Sequence, residues 1–397
     1  MTAGLATFRE RPMTSTAPAT IEWHILTGEY PPQEGGVSDY TQLVARGLAD
    51  AGDHVIVWAP PFSSVLPASH PRIDVRRLPD RFGRRSLQVM AHALDRATAH
   101  HRLLVQYVPH AFGWKGANLP FCVWLRTRRR DHVWIMFHEV AYPFEARGGL
   151  RRNALAAANG LMASFAGAAA ERTFVSIPAW KPGVESVTRQ GTPLNWLPVP
   201  SAIEVAEDGR RSAEIAEQYS HGWPLVGHFG TYGALIAPLV TSTIVSLIGG
   251  SDCRVLLIGR GSSEARATMV AAHPELTDRV HATGPLTASE ISHHICACAL
   301  MMQPYPDGIS SRRTSAMAAL AHGVPVVTTE GPLSDPVWRE SAAVVLASAG
   351  DAHALANAVA SLASDPVRQR DLSRRGLDLY DSRFDIRHTI AALRASA

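Results

Sequence analysis

The chain has 397 residues, 46% of them apolar and 18% charged, with a formal net charge of +3. That length suits two domains with sizeable cores rather than one. The composition excludes a disordered chain, and the near-neutral charge gives no nucleic-acid signature.

Residues 1–20 hold charges, Pro and Thr but no apolar core of a signal peptide, and read as a flexible tail. Short β-branched runs then alternate with helical stretches. Strands are expected at Ile21–Thr27, His54–Ala59, Leu103–Tyr107, Val133–His138, Arg172–Ile177 and Leu194–Val199, with helices at Val37–Ala51, Ser86–His100, Leu150–Ala170 and Pro178–Arg189. This alternation predicts a parallel sheet covered on both faces across residues 21–200. The polar stretch 201–222 reads as a linker with one helical piece. Strands restart at Pro224–Phe229, Cys253–Ile258, Arg279–Ala282, Ala299–Gln303, Val324–Thr328 and Ala342–Leu346, giving a second domain over 223–383. Residues 384–397 read as a helix crossing back to the first domain. Ligands of open parallel sheets bind beyond the carboxyl ends of the strands, so two such sheets predict a cleft lined by the loops that follow strands.

Those loops carry the candidate chemistry. Gly35-Gly36 opens the first helix; it reads equally as a cradle of backbone amides for an anion or as a flexible turn. His110 and His138 follow strands, each as a cleft contact or as a satisfied buried imidazole. Only Lys115 and Lys181 are lysines among the 38 basic residues, so an anion contact further along must use Arg, His or amides. Arg126, Arg128, Arg129 and Arg130, and then Arg147, Arg151 and Arg152, flank the apolar helix Leu150–Ala170. They read as helix-end and solvated arginines or as a face for an anionic membrane. Arg260 sits between Gly259 and Gly261. The longest signal is a strand, a loop with Asp307 and Gly308, then Ser310-Ser311-Arg312-Arg313, a helix of small residues, and Gly323-Val324-Pro325-Val326-Val327. Serine hydroxyls, free amides and an Arg at a helix start make a phosphate cradle. A serine N-cap with solvated arginines is the other reading. Adjacent helical residues diverge by about 100°, so one of Arg312 and Arg313 is expected to face the cleft.

Two segments resemble retaining family-four glycosyltransferases (glycosyl transferases group 1). One runs from Tyr30-Pro31-Pro32 through Gly35-Gly36-Val37-Ser38-Asp39-Tyr40 to Ala51-Gly52-Asp53-His54-Val55. The other is Gln303 to Thr329. The resemblance implies the GT-B fold: two Rossmann-like parallel-sheet domains facing a central cleft. It implies a nucleotide-diphosphate sugar as donor substrate, no further cofactor, and a hydroxyl acceptor such as a lipid-linked glycan in surface polysaccharide or glycoconjugate assembly. It places Gly35 and Gly36 over the diphosphate, His138 and Asp307 at the donor sugar, and Gly230, Gly308, Ile309, Ser310, Ser311 and Ser315 in the donor site. In that family a Gly followed by Arg and Lys grips the diphosphate, and a second acid binds the ribose. Here neither cation follows Gly230, and Ser315 stands at the second acid. Arg260, Arg312 or Arg313 is expected to replace the missing cations.

Retention in that family needs no protein nucleophile, and the sequence has no Asp-x-Asp metal signature. The lack of any lysine in the second domain for a Schiff base argues strongly against a pyridoxal-dependent phosphorylase. A sugar-nucleotide epimerase and a degenerate, non-catalytic GT-B protein remain as alternatives. Four scattered cysteines and the lack of any apolar run of about 18 residues suggest a cytoplasmic protein, with peripheral contact at the inner membrane face as a further expectation.

Overall fold

A computed structural model describes residues 20–63, 70–97, 100–142, 144 and 149–395. The expected tail up to residue 19, and Arg147 of the second basic cluster, lie outside the described residues.

The first sheet contains β1 (Glu22–Thr27), β2 (His54–Ala59), β3 (Ile73–Arg77), β4 (His101–Tyr107), β5 (Val133–Phe137), β6 (Arg172–Val175) and β7 (Leu194–Trp196). The second contains β8 (Leu225–Phe229), β9 (Arg254–Ile258), β10 (Val280–Ala282), β11 (Leu300–Gln303), β12 (Val326–Glu330) and β13 (Val345–Ser348). The orders are β3-β2-β1-β4-β5-β6-β7 and β10-β9-β8-β11-β12-β13, and every pairing is parallel. In each sheet the winding reverses beside the first strand, between β1 and β4 and between β8 and β11. Such switch points leave a crevice at the carboxyl edge.

Burial on both faces explains the near-continuous apolar runs. Trp23 and Ile25 of β1 join the core formed with Tyr40 and Val44 of the first helix, whereas Leu26 joins Phe112, Phe121 and Phe137 on the other face. β3 was not expected from the sequence. As an edge strand its Ile-Asp-Val-Arg-Arg pattern is half polar, and only Ile73 is fully buried.

Helix ends differ from expectation where capping decides. The second helix spans Arg84–Leu94, and Pro178–Trp180 forms a 3-10 turn before the helix Lys181–Val187. Within 201–222, the helix Gly209–Ser220 starts at Asp208, whose carboxylate accepts from the Arg210 amide at 3.0 Å. It lies against the second sheet's helices, with Arg211 bridged to Glu290 at 3.1 Å. Phe384 ends a π-helical turn, Tyr380–Phe384, and the last helix is Ile386–Ala395. That helix covers the first domain: Ile390 and Leu393 enter its core, and Arg394 pairs with fully buried Asp53 at 3.1 Å. Asp53 also accepts from the indole of Trp23 at 3.1 Å.

Among the described residues no helix is long and apolar enough to cross a membrane.

Candidate functional site

The carboxyl edges of the two sheets enclose one cavity of about 730 Å³. From the first sheet it is lined by the loop Pro31–Gly36 with Asp39 and Gln42. From the second it is lined by the loops after β8, β9, β10 and β11.

On the first wall, β1 runs through Gly28–Gly35 into the helix Gly36–Asp50. Glu29 turns back onto that helix, and its Oε1 accepts from the amides of Val37 and Ser38, each at 3.0 Å. An internal carboxylate therefore neutralises the positive helix end. A Cβ on Gly35 would stand 2.3 Å from the same oxygen, so a larger residue there would push the Glu29 carboxylate off the helix end, while Gly36 has open space. Both glycines line the cavity, but the Val37 and Ser38 amides that an anion would use are already engaged by Glu29.

His138 lies just past β5 and is buried. Its Nε2 bonds Gln106 Oε1 at 2.8 Å, and its ring meets Tyr40 edge-on at 5.0 Å. Burial depresses its pKa to about 3, so it is neutral. The imidazole is thus held internally rather than placed on the cavity lining. His110 is exposed and stacks with Tyr142 at 6.3 Å.

The second wall holds the cations. Gly230 and Arg260 follow β8 and β9 and line the cavity, as do Arg312, Arg313 and Ser315. The expectation that only one of Arg312 and Arg313 faces the cleft is corrected. The helix begins at Thr314 with Arg313 as its N-cap, so both arginines precede it and are not splayed by helical geometry. Asp307 holds the pair: Oδ2 accepts from Arg312 at 3.2 Å and Oδ1 from Arg313. Arg313 also lies 4.6 Å over the Tyr305 ring. Tyr305 bonds Ser315 hydroxyl to hydroxyl at 2.8 Å.

Ser310 and Ser311 do not belong to the cradle expected for them. Both are fully buried. Ser311 joins the domains instead: its hydroxyl donates to the Ser176 carbonyl at 2.9 Å and accepts from the Trp196 indole at 3.1 Å. Its amide donates to Asp335 at 2.5 Å, whose pKa burial lifts to about 6. Ile309 is likewise buried, its amide bonded to the Thr329 carbonyl at 2.8 Å. The cause is local backbone. Gly308 has φ of 86°, and a Cβ there would meet the Gly331 nitrogen at 2.3 Å. This left-handed turn against Gly331 sends 309–311 inward before the chain emerges at Arg312.

Among the described residues, two arginines of the cavity pair with carboxylates of the first wall. Arg260 pairs with Glu34, and Arg312 reaches Glu139 at 3.5 Å while lying 5.6 Å over the Trp180 ring. Glu29, Glu34, Glu139 and Trp180 were not singled out from the sequence. Their partners are remote in the chain, and no local motif marks them. Of the basic clusters, Arg128 is spent on Asp95 at 2.8 Å and Asp131 at 2.5 Å, and Arg129 donates to the Ala168 carbonyl at 3.1 Å. Arg151 is exposed beside exposed Leu150.

Residues 236–365 match the family described as glycosyl transferases group 1. No curated protein matches the chain in sequence. Among solved structures, sucrose-phosphate synthase from Thermosynechococcus elongatus superposes with a TM-score of 0.70 at 16% identity, covering 95% of this chain and 98% of that one. HepE of Anabaena, solved with UDP and glucose, gives 0.67 at 16% identity over 95% and 100%. A glycosyltransferase from Rickettsia africae gives 0.66 at 12% identity over 95% and 97%. At such identities the likeness establishes the fold, and the two-sheet architecture is GT-B.

Proposed function

We propose that the chain transfers a sugar from a nucleoside-diphosphate sugar to a hydroxyl acceptor with retention of configuration, in the assembly of a surface polysaccharide or glycoconjugate. The observation that carries this reading is the convergence of Arg260, Arg312 and Arg313 on one cavity at the switch point of the second sheet. HepE, of the same fold, was solved with UDP.

In this reading the diphosphate lies between those arginines and the Gly230 turn. Guanidinium groups suit it because they offer forked donors to phosphate oxygens. The bond from the anomeric carbon to the diphosphate oxygen breaks, and the acceptor oxygen bonds that carbon on the same face. The acceptor proton passes to the departing phosphate oxygen. The arginines stabilise the charge that develops there, and the closed cleft limits capture of the sugar by water. The sugar nucleotide is a substrate, not a resident cofactor. With both oxygens on arginines, Asp307 acts through them as a positioning residue. A neutral His138 braces the acceptor side. Exposed Leu150 beside Arg151 fits peripheral contact with the inner membrane face and a lipid-linked acceptor.

Calorimetric titration with UDP, GDP, ADP and dTDP, then with the intact sugar nucleotides, tests the donor. Binding of one series supports it, and the anomeric configuration of the product, followed by NMR with and without chelator, tests retention and metal independence. If neither the nucleotides nor their sugars bind at millimolar concentration, the donor reading is wrong.

A further inference from the structure

The cavity is chemically divided. Its arginines serve phosphates, but another part of the lining carries no charge. Ile203, Phe229, Leu286 and Ile291 line the cavity and all pack against a single core, the one that contains Met301. They therefore share one face of the second sheet.

Gln303 stands on that face. β8 and β11 pair with Met301 opposite Gly227, and two further residues along both strands bring Gln303 beside Phe229. These are the last residues of the two strands that flank the switch point. Gln303 also lines the cavity and is fully buried. Neither its Oε1 nor its Nε2 has a hydrogen-bond partner among the described residues. A buried carboxamide with both polar atoms unpaired carries the full desolvation cost of each group with no hydrogen bond in return. Its own carbonyl is engaged, accepting from the Thr328 hydroxyl at 2.6 Å. His228, whose Nε2 is also unpaired, lines the cavity too, but by the same register it pairs with Met302 of the other core, so it leaves its strand on the opposite face from Gln303.

We infer that Gln303 is a specificity-determining residue that recognises the nucleoside part of the donor, pairing its amide with a group that offers a donor and an acceptor side by side. The inference rests on the donor reading above and adds the residue that selects within it. Two parts of a nucleoside have that chemistry, the ribose hydroxyls and the edge of the base. Phe229 beside the amide and the other apolar side chains of the lining suit an uncharged, flat-faced ligand, and an amide offers a donor and an acceptor side by side where a carboxylate only accepts and a guanidinium only donates. Ser315, one hydroxyl already shared with Tyr305, leaves ribose recognition to be completed from elsewhere in the cavity.

The test is Gln303→Leu, close in shape but without polar atoms, with Gln303→Met as an unbranched companion in case the first fails to fold. Each is titrated with the nucleoside diphosphate that the wild type prefers, with its 2′-deoxy form, with diphosphates of the other bases, and with inorganic pyrophosphate. The expected result is a loss of roughly tenfold or more in affinity for the preferred nucleoside diphosphate, with pyrophosphate binding unchanged. The melting temperature without ligand should equal or exceed that of the wild type, because two unpaired polar atoms leave the interior. A residue with a purely structural role would lower both. If the variant's deficit vanishes with the deoxy ligand, the ribose is the partner; if it vanishes when the base is changed, the base edge is. Wild-type affinity in both variants overturns the inference and leaves the donor reading standing. Failure of the wild type to bind any nucleotide or sugar nucleotide overturns both.

Discussion

Each wall of the cleft ends in a glycine-bearing loop that feeds a helix N-terminus, yet the two walls handle charge in opposite ways. On the first wall the helix Gly36–Asp50 is closed by the chain's own carboxylate, Glu29. On the second, the helix Thr314–Ala321 has no side-chain cap, and two arginines held by Asp307 stand in front of it. The cations lining the cavity all come from the second wall, and Glu34 and Glu139 reach toward them from the first. A glycine pair before a helix is therefore not by itself an anion site. What decides is whether the protein has already supplied the anion.

The strongest way to break this contrast is to strip the second wall. Arg312→Ala combined with Arg313→Ala should weaken nucleoside-diphosphate binding by about 100-fold or more, since each charge-assisted contact is worth roughly 1.5–3 kcal/mol. Calorimetry reads this directly, and unchanged affinity would return the phosphate grip to Arg260 alone. Removing the internal anion of the first wall should act on stability instead. Glu29→Ala should lower the unfolding free energy by about 1–2 kcal/mol in denaturant titration, with donor affinity nearly intact. If affinity falls as steeply as in the arginine variant, Glu29 serves the ligand and the contrast fails.

The neutral His138 sharpens the comparison through pH. Its folded pKa is depressed to about 3 by burial, while in the unfolded chain it titrates near 6.5. Below pH 6.5 the unfolded state takes up a proton that the folded state refuses, so stability is full above that value and falls as pH drops toward 3. Replacing His138 by Gln should flatten that part of the stability–pH curve; an unchanged slope assigns acid sensitivity to other groups. The smallest effect is expected from the cross-cleft pairs. Glu139→Gln frees Arg312 from a partly exposed partner, and exposed pairs are worth about 0–1 kcal/mol. Donor affinity should rise by no more than a few-fold, most visibly at low salt.

The sequence carried the two sheets well because strands buried on both faces must be apolar where they are buried, as in Val133–Phe137 and in Arg254–Ile258 after its first residue. It did not carry β3, whose exposed edge lets polar residues alternate. The donor loop was located by its strand, its glycine and its helix of small residues, but its inner arrangement was not. Ser310 and Ser311 are polar and sit beside arginines, so nothing local distinguishes an exposed cradle from a buried tie. The turn that carries both inward packs on Gly331, and Ser311 is tied to Asp335 and Ser176, all supplied by other segments. The pairs Glu34–Arg260 and Glu139–Arg312 are invisible for the same reason: electrostatic partners across a cleft leave no spacing to read. Gln303 was seen only as the start of a motif, because an unpaired amide is recognised by its surroundings rather than by its neighbours in the chain.

The chain crosses between the sheets twice, once after β7 and once at the π-helical turn Tyr380–Phe384. The two crossings are stitched together where the Ser201 amide donates to the Tyr380 hydroxyl at 3.1 Å. Two tethers fastened side by side behave like the leaves of a door hinge. With the Ser311 tie to Ser176 and Trp196 also joining the domains, such a pair would resist sliding and twisting more than swinging about the line through it. Any opening of the cleft would then be a lever motion, smallest beside Tyr380 and growing with distance from it across the mouth of the cleft.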